Sequence, residues 1–153
     1  MSRTHRYQAR CTWQGSTGVG YESYDRAHTV ACAPARAELL LSSDPSFRGN
    51  PDRLNPEQLL VAAASSCQLL SFLAVAARAR LDVVGYEDRA EAEMPEDEKP
   101  VRLREIVLRP RIRLRKGPDE ARVKKLVEQA HRECYVANSL STPVRVEAEL
   151  EFV

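Results

Sequence analysis

NPEQLLVAAASSCQLLSFLAVAARARL, Asn55 to Leu81, decides the fold. Asn55 is a capping residue, Pro56 suits the first helical position, and Gln58 falls where a capping-box partner sits, so a helix starts here. From Leu59 to Ala77 the run carries no charge and is apolar nearly all round. That pattern predicts a central core helix surrounded by protein. The run approaches the roughly 20 residues that span a bilayer, but Ser65, Ser66, Cys67, Gln68 and Ser71 would then lie at mid-depth, and no second span accompanies it. In a core these groups need partners, since a buried unpaired hydroxyl or amide costs about 1–3 kcal/mol. A polar pocket along the helix, with Cys67 at its middle, is the consequence.

The chain has 153 residues, enough for one domain spanning 1–153, and a net charge of +1. That balance gives no field for nucleic acid or an anionic membrane. MSRTHRYQARCTW at the N-terminus has no apolar stretch of the signal-peptide kind, which points to the cytoplasm. The four cysteines, Cys11, Cys32, Cys67 and Cys134, are therefore expected as free thiols. None forms a CxxC pair.

Alternation over Tyr7, Ala9, Cys11 and Trp13, followed by the Gly15–Gly18 turn, predicts an opening hairpin, with further strands between Val19 and Ala33. Cys11 and Cys32 read as small buried strand residues. Glu38–Ser43 is a strand, and Asp44 to Arg53 is a loop carrying Arg48 and Arg53. Beyond the helix, Asp82 to Met94 alternates as one half-exposed strand. Apolar positions change parity between Leu103 and Ile106, which predicts a bulge near Glu105. Arg109, Arg111, Arg113 and Arg115 form a basic stripe, matched by Glu147, Glu149 and Glu151 of the last strand; a solvated, charge-paired face is favoured over a nucleic-acid surface. Gly117-Pro118-Asp119-Glu120 opens a second helix whose Val123, Leu126, Val127, Ala130 and Cys134 share one face. The outline is α+β: antiparallel sheets packed on two core helices.

Asn55-Pro-Glu-Gln-Leu-Leu with Cys67 ten residues beyond Glu57, and Ala130-His-Arg-Glu-Cys134 followed by Val136-Ala-Asn-Ser-Leu140, together resemble the paired signature of the OsmC/Ohr family, the osmotically inducible and organic hydroperoxide resistance proteins. Tyr135 stands where that family commonly has proline. The resemblance implies an intertwined homodimer and a stress-response thiol peroxidase for organic hydroperoxides. Cys67 would become a sulfenic acid and condense with Cys134 to a disulfide, which a dithiol such as a lipoylated protein would reduce. It also implies an activating arginine: Arg48, oriented by Glu57, is the choice, with Arg26 and Arg53 in reserve. Leu70, Phe72 or Phe47 are candidate pocket walls. No cofactor is implied.

Glu57 and Cys67 on one straight helix would be about 15 Å apart along the axis, so a shared site requires Glu57 to meet Cys67 of a partner subunit. The alternatives are a zinc-binding or sensing module using His131 and Cys134, with Cys67 or Glu57 completing the shell, and a non-catalytic small-molecule binding protein of the same fold. A hydrolase with a Cys67 nucleophile lacks a histidine at a recommending distance.

Overall fold

The computed structural model describes residues 2–153, which divide into two compact units, one ending at Leu59 and one running Leu60–Val153. The first holds an antiparallel sheet of β1 (Arg10–Thr12), β2 (His28–Ala31) and β3 (Glu38–Leu41). Its register pairs Cys11 with Val30 and Val30 with Leu39. Between β1 and β2 the chain makes a short 3-10 turn, Thr17–Val19, overlapping the expected Gly15–Gly18 turn, and β2 is the one strand formed where further strands were expected between Val19 and Ala33. A second such turn, Pro45–Phe47, lies in the predicted loop and ends on Arg48 in the left-handed region. Gly49 is required there: a Cβ would lie 1.6 Å from the Ser43 carbonyl oxygen. Cys11 and Cys32 are exposed, which corrects the expectation that both are buried. Strand alternation locates a face without saying what covers it.

The capping box forms as read. The Gln58 amide N–H donates to Asn55 Oδ1 at 2.9 Å, and the Asn55 N–H donates to Gln58 Oε1 at 3.0 Å. Helix α1 then runs unbroken over Pro56–Arg78. It stops short of Leu81 because Arg80 turns left-handed, and the Leu81 N–H closes back on the Ala76 carbonyl at 2.9 Å.

In the second unit α1 buries Ala64, Gln68, Phe72, Val75 and Ala76. By length and composition it could cross a membrane, yet this face is packed on sheet. The expectation of a helix covered all round holds on one side only. Ala63, Ser66, Leu70, Leu73 and Ala77 are exposed, Leu70 to 64%, and their 3-4-3-4 spacing is that of a helix-pairing seam.

Two three-stranded sheets complete the unit. One has the order β4 (Val83–Asp88), β7 (Pro110–Leu114), β9 (Glu149–Phe152); the other has β5 (Glu91–Glu93), β6 (Glu105–Leu108), β8 (Val144–Val146). The pairs β4·β7 and β5·β6 are antiparallel, whereas β7·β9 and β6·β8 are parallel. The single strand expected over Asp82–Met94 is thus two, in different sheets. The bulge expected near Glu105 is absent: Leu103 precedes the strand, β6 begins at Glu105, and the apolar positions Ile106, Leu108, Ile112 and Leu114 keep one parity through β6 and β7. A register shift lies instead between Val83 and Gly85. Asp88 fastens the junction of β6 and β7, accepting from the Arg109 amide at 2.7 Å and from the Ser65 hydroxyl at 2.5 Å.

Helix α2 (Glu120–Arg132), capped by Asp119, buries Val123, Val127 and Ala130 against Ile112 and Leu114. The basic stripe is charge-paired as predicted. Arg111 meets Glu151 at 3.1 Å, Arg109 meets Glu147 at 3.0 Å, and Arg115 meets Asp82 at 3.1 Å.

Candidate active site

The second unit brings Cys67 and Cys134 together. Cys67 lies at the middle of α1, half-buried. Cys134 follows α2 and serves as N-cap of the one-turn helix α3 (Tyr135–Asn138), with only 1% of its surface exposed. Val136 of α3 and Leu140 pack on the Ala64, Ile106 and Leu108 cluster. This seating lets the Val136 amide N–H donate to Cys67 Sγ at 3.5 Å. Tyr135, at the position of the family's proline, points outward and is compatible with the turn.

Both thiols are free. Burial pushes Cys134 up to about 11; the Ala137 amide opposes this, and the neighbouring Cys67 thiol adds to it. Only the thiolate alkylates, so a raised value displaces reactivity to higher pH. Alkylation of Cys134 in the native protein will be slow at neutral pH and still rising at about pH 10. Mass spectrometry of the labelled peptide measures it, and a plateau below about pH 9 would contradict this environment.

The polar side chains along α1 are unevenly partnered. Ser65 is held by Asp88, while Gln68 is 1% exposed with neither amide atom hydrogen-bonded. The Tyr86 hydroxyl, also buried and without a partner, is pushed up by burial and then by the charges of Asp88 and Cys134. Phe72 is fully buried in the core and Leu70 faces outward, so neither is the pocket wall that was expected.

Glu57 lies in the first unit, in a cleft of about 460 Å³. Trp13, Tyr24 and Phe47 form its aromatic walls, and Arg26, His28 and Cys11 share it. Arg26 is fixed by its own loop. Its guanidinium donates to the Tyr24 carbonyl at 2.5 Å and the Tyr21 carbonyl at 2.6 Å, and stacks 3.8 Å from the Tyr24 ring centroid. Arg48 does not line this cleft; it is exposed and ion-paired with Glu22. Arg53 stays in the loop ahead of α1, its amide on the Asn50 carbonyl at 3.2 Å. Of the three candidate arginines, Arg26 is the one that lines this cleft with Glu57. Sequence reasoning missed the walls Trp13 and Tyr24, whose signal was a cluster of aromatics around Arg26 in an otherwise aromatic-poor chain.

The zinc reading loses its ligand set. Among the described residues no three His, Cys, Asp or Glu side chains are grouped to hold a metal ion, and His131 Nδ1 is buried without a partner.

An α+β fold with two free cysteines brought together by a long helix and the turn after a second one defines a class of protein. The sequence model of that class, described as OsmC-like protein, matches residues 49–149, and the chain belongs to this family. An OsmC-like protein of unknown function from Vibrio cholerae is similar at 29% identity, over 95% of this chain and 100% of that one, with a TM-score of 0.86. An organic hydroperoxide resistance protein from Elizabethkingia anophelis shares 21% identity over the full length of both chains, with a TM-score of 0.74. One from Legionella pneumophila shares 17% over 98% and 99%, with a TM-score of 0.70. The last two speak for the shared fold. No curated protein matches the chain.

Proposed function

We propose that this protein is a thiol peroxidase that reduces organic hydroperoxides. The observation that carries the reading is the adjacency of two free thiols, one half-buried and one fully buried. A Cys67 thiolate attacks one oxygen of the O–O bond; the bond breaks, the other oxygen leaves as alkoxide and takes up a proton, and Cys67 becomes a sulfenic acid. The Cys134 sulfur then displaces the hydroxyl as water and closes a Cys67–Cys134 disulfide. A dithiol, such as that of a lipoylated protein, restores both thiols by exchange. Nothing in these steps calls for a metal or an organic cofactor, and they suit a reducing compartment such as the cytoplasm.

A cation beside the reacting sulfur favours the thiolate and the departing alkoxide. We assign this role to Arg26 in place of Arg48, because Arg26 shares the cleft with Glu57 and keeps further N–H groups to donate. Arg26→Ala will lower the second-order rate with an alkyl hydroperoxide by about 10²–10³-fold. Arg48→Ala will change it by less than about threefold, as expected of an exposed ion pair. Peroxide-consumption kinetics separate the two, and the reverse order would return the role to Arg48.

The unbroken helix keeps Glu57 about 15 Å from Cys67 of its own chain. We therefore infer a two-fold dimer in which Glu57 and Arg26 of one subunit meet Cys67 of the other. The exposed seam along α1 supports this, since apolar helix faces of that spacing pair with one another. In that dimer 1–153 acts as one domain, both of its units contributing to each site. Coexpressed Cys67→Ser and Glu57→Ala chains will recover about half of wild-type activity in the mixed dimer, through its one intact site. No recovery would place the site within one chain.

A further inference from the structure

We propose that the cleft of the first unit is an aryl-binding subsite, in which Trp13 selects organic hydroperoxides bearing an aromatic ring; this rests on the peroxidase reading above. Apart from the remaining Arg26 N–H groups, which serve the reacting oxygens, few polar atoms of the cleft are left for the substituent that the hydroperoxide carries. Two Arg26 N–H groups are committed to carbonyls, His28 Nδ1 meets the Arg26 carbonyl at 2.7 Å, and Ser43 donates to the Phe47 carbonyl at 3.1 Å. Asp44 accepts from the Ser46 amide at 2.7 Å. Glu57 makes no hydrogen bond or ion pair among the described residues, and with the Arg26 guanidinium in the same cleft the two opposite charges leave no net pull on a charged substituent. A neutral, compact, apolar group is what remains, and about 460 Å³ is ample for it.

The walls specify its shape. The Trp13 indole is held on three sides. Its Nε1–H donates to the Asp25 carbonyl at 2.7 Å, the Tyr24 ring meets it edge-on at 88° and 6.3 Å, and a Cβ on Gly15 would come within 2.7 Å of the indole. Trp13 nevertheless remains 39% exposed. An oriented, partly exposed indole beside a second ring takes a third by edge-to-face or offset contact, which an alkyl chain does not reproduce. Such a contact favours an aryl over an alkyl group by several-fold to about tenfold in affinity.

Trp13 is the sole tryptophan of the chain, so intrinsic fluorescence reads the cleft directly. The full-length wild-type protein is titrated with cumyl alcohol, the unreactive product of an aryl hydroperoxide, and separately with hexanol. The expected result is a saturable Trp13 signal with cumyl alcohol binding at least about fivefold tighter. No saturable change, or equal affinities, overturns the subsite. In kinetics, the kcat/KM ratio of cumyl to tert-butyl hydroperoxide will fall about fivefold in Trp13→Leu, through KM, and be restored by Trp13→Phe. An unchanged ratio in Trp13→Leu also overturns it. Alcohol binding decides the subsite without turnover, whereas a protein that binds cumyl alcohol yet loses no thiol to hydroperoxide keeps the subsite and refutes the peroxidase chemistry.

Discussion

Cys67→Ser will lower organic hydroperoxide consumption by about 10³-fold or more, measured as peroxide loss with a dithiol reductant. A serine hydroxyl in the same place is not ionised at neutral pH and is a far poorer nucleophile towards a peroxide oxygen, so the first step is lost and nothing downstream replaces it. Cys134→Ser will behave differently. Its Cys67 still reacts once, but the sulfenic acid has no buried thiol beside it and proceeds to sulfinic and sulfonic acids under excess peroxide. The contrast is diagnostic. Equal residual turnover in the two variants would mean that the thiols do not divide the work as proposed.

Phe72→Ala will destabilise the fold by about 3–5 kcal/mol. Phe72 has no exposed surface and lies in the cluster that joins α1 to Ile112, Leu114 and the α2 residues Val123, Val127 and Ala130. Its ring also packs 6.2 Å from Tyr86. Removing it opens a cavity between a helix and a sheet that cannot both close on it. Against the 5–15 kcal/mol typical of a whole domain, such a loss is a large fraction. Denaturant unfolding will show a lower midpoint with little change of slope. A cost below about 1 kcal/mol would mean that α1 does not pack on this sheet.

What was legible in the sequence was local. The capping box of α1 is written in Asn55 and Gln58, and the buried face of α2 in the spacing of Val123, Val127 and Ala130, because both depend on neighbours within a turn or two. Parallel pairing of β7 with β9 and of β6 with β8 joins segments nearly forty residues apart and leaves no local mark. The parity change before Ile106 marks where a strand begins: Leu103 lies in the segment ahead of β6, and a strand start looks like a bulge when the two apolar runs are read as one strand. Cys11 and Cys32 were misread because alternation does not say whether a sheet face is covered.

The site divides in the same way. Cys67 and Cys134 were found through two motifs, and the turn at Tyr135 that seats Val136 against Cys67 explains their meeting. Arg48 was chosen for its nearness to Glu57 along the chain. Yet β2 and β3 return the chain so that Arg26, more distant in sequence, lines the Glu57 cleft, while Arg48 turns outward to Glu22.

The most direct test of the central claim is intact mass with thiol counting and peptide mapping of the fully reduced protein, before and after about one equivalent of an alkyl hydroperoxide. Rapid loss of two of the four thiols per chain and a single Cys67–Cys134 disulfide are the expected result. Four intact thiols, or a bond that leaves Cys67 out, would contradict it.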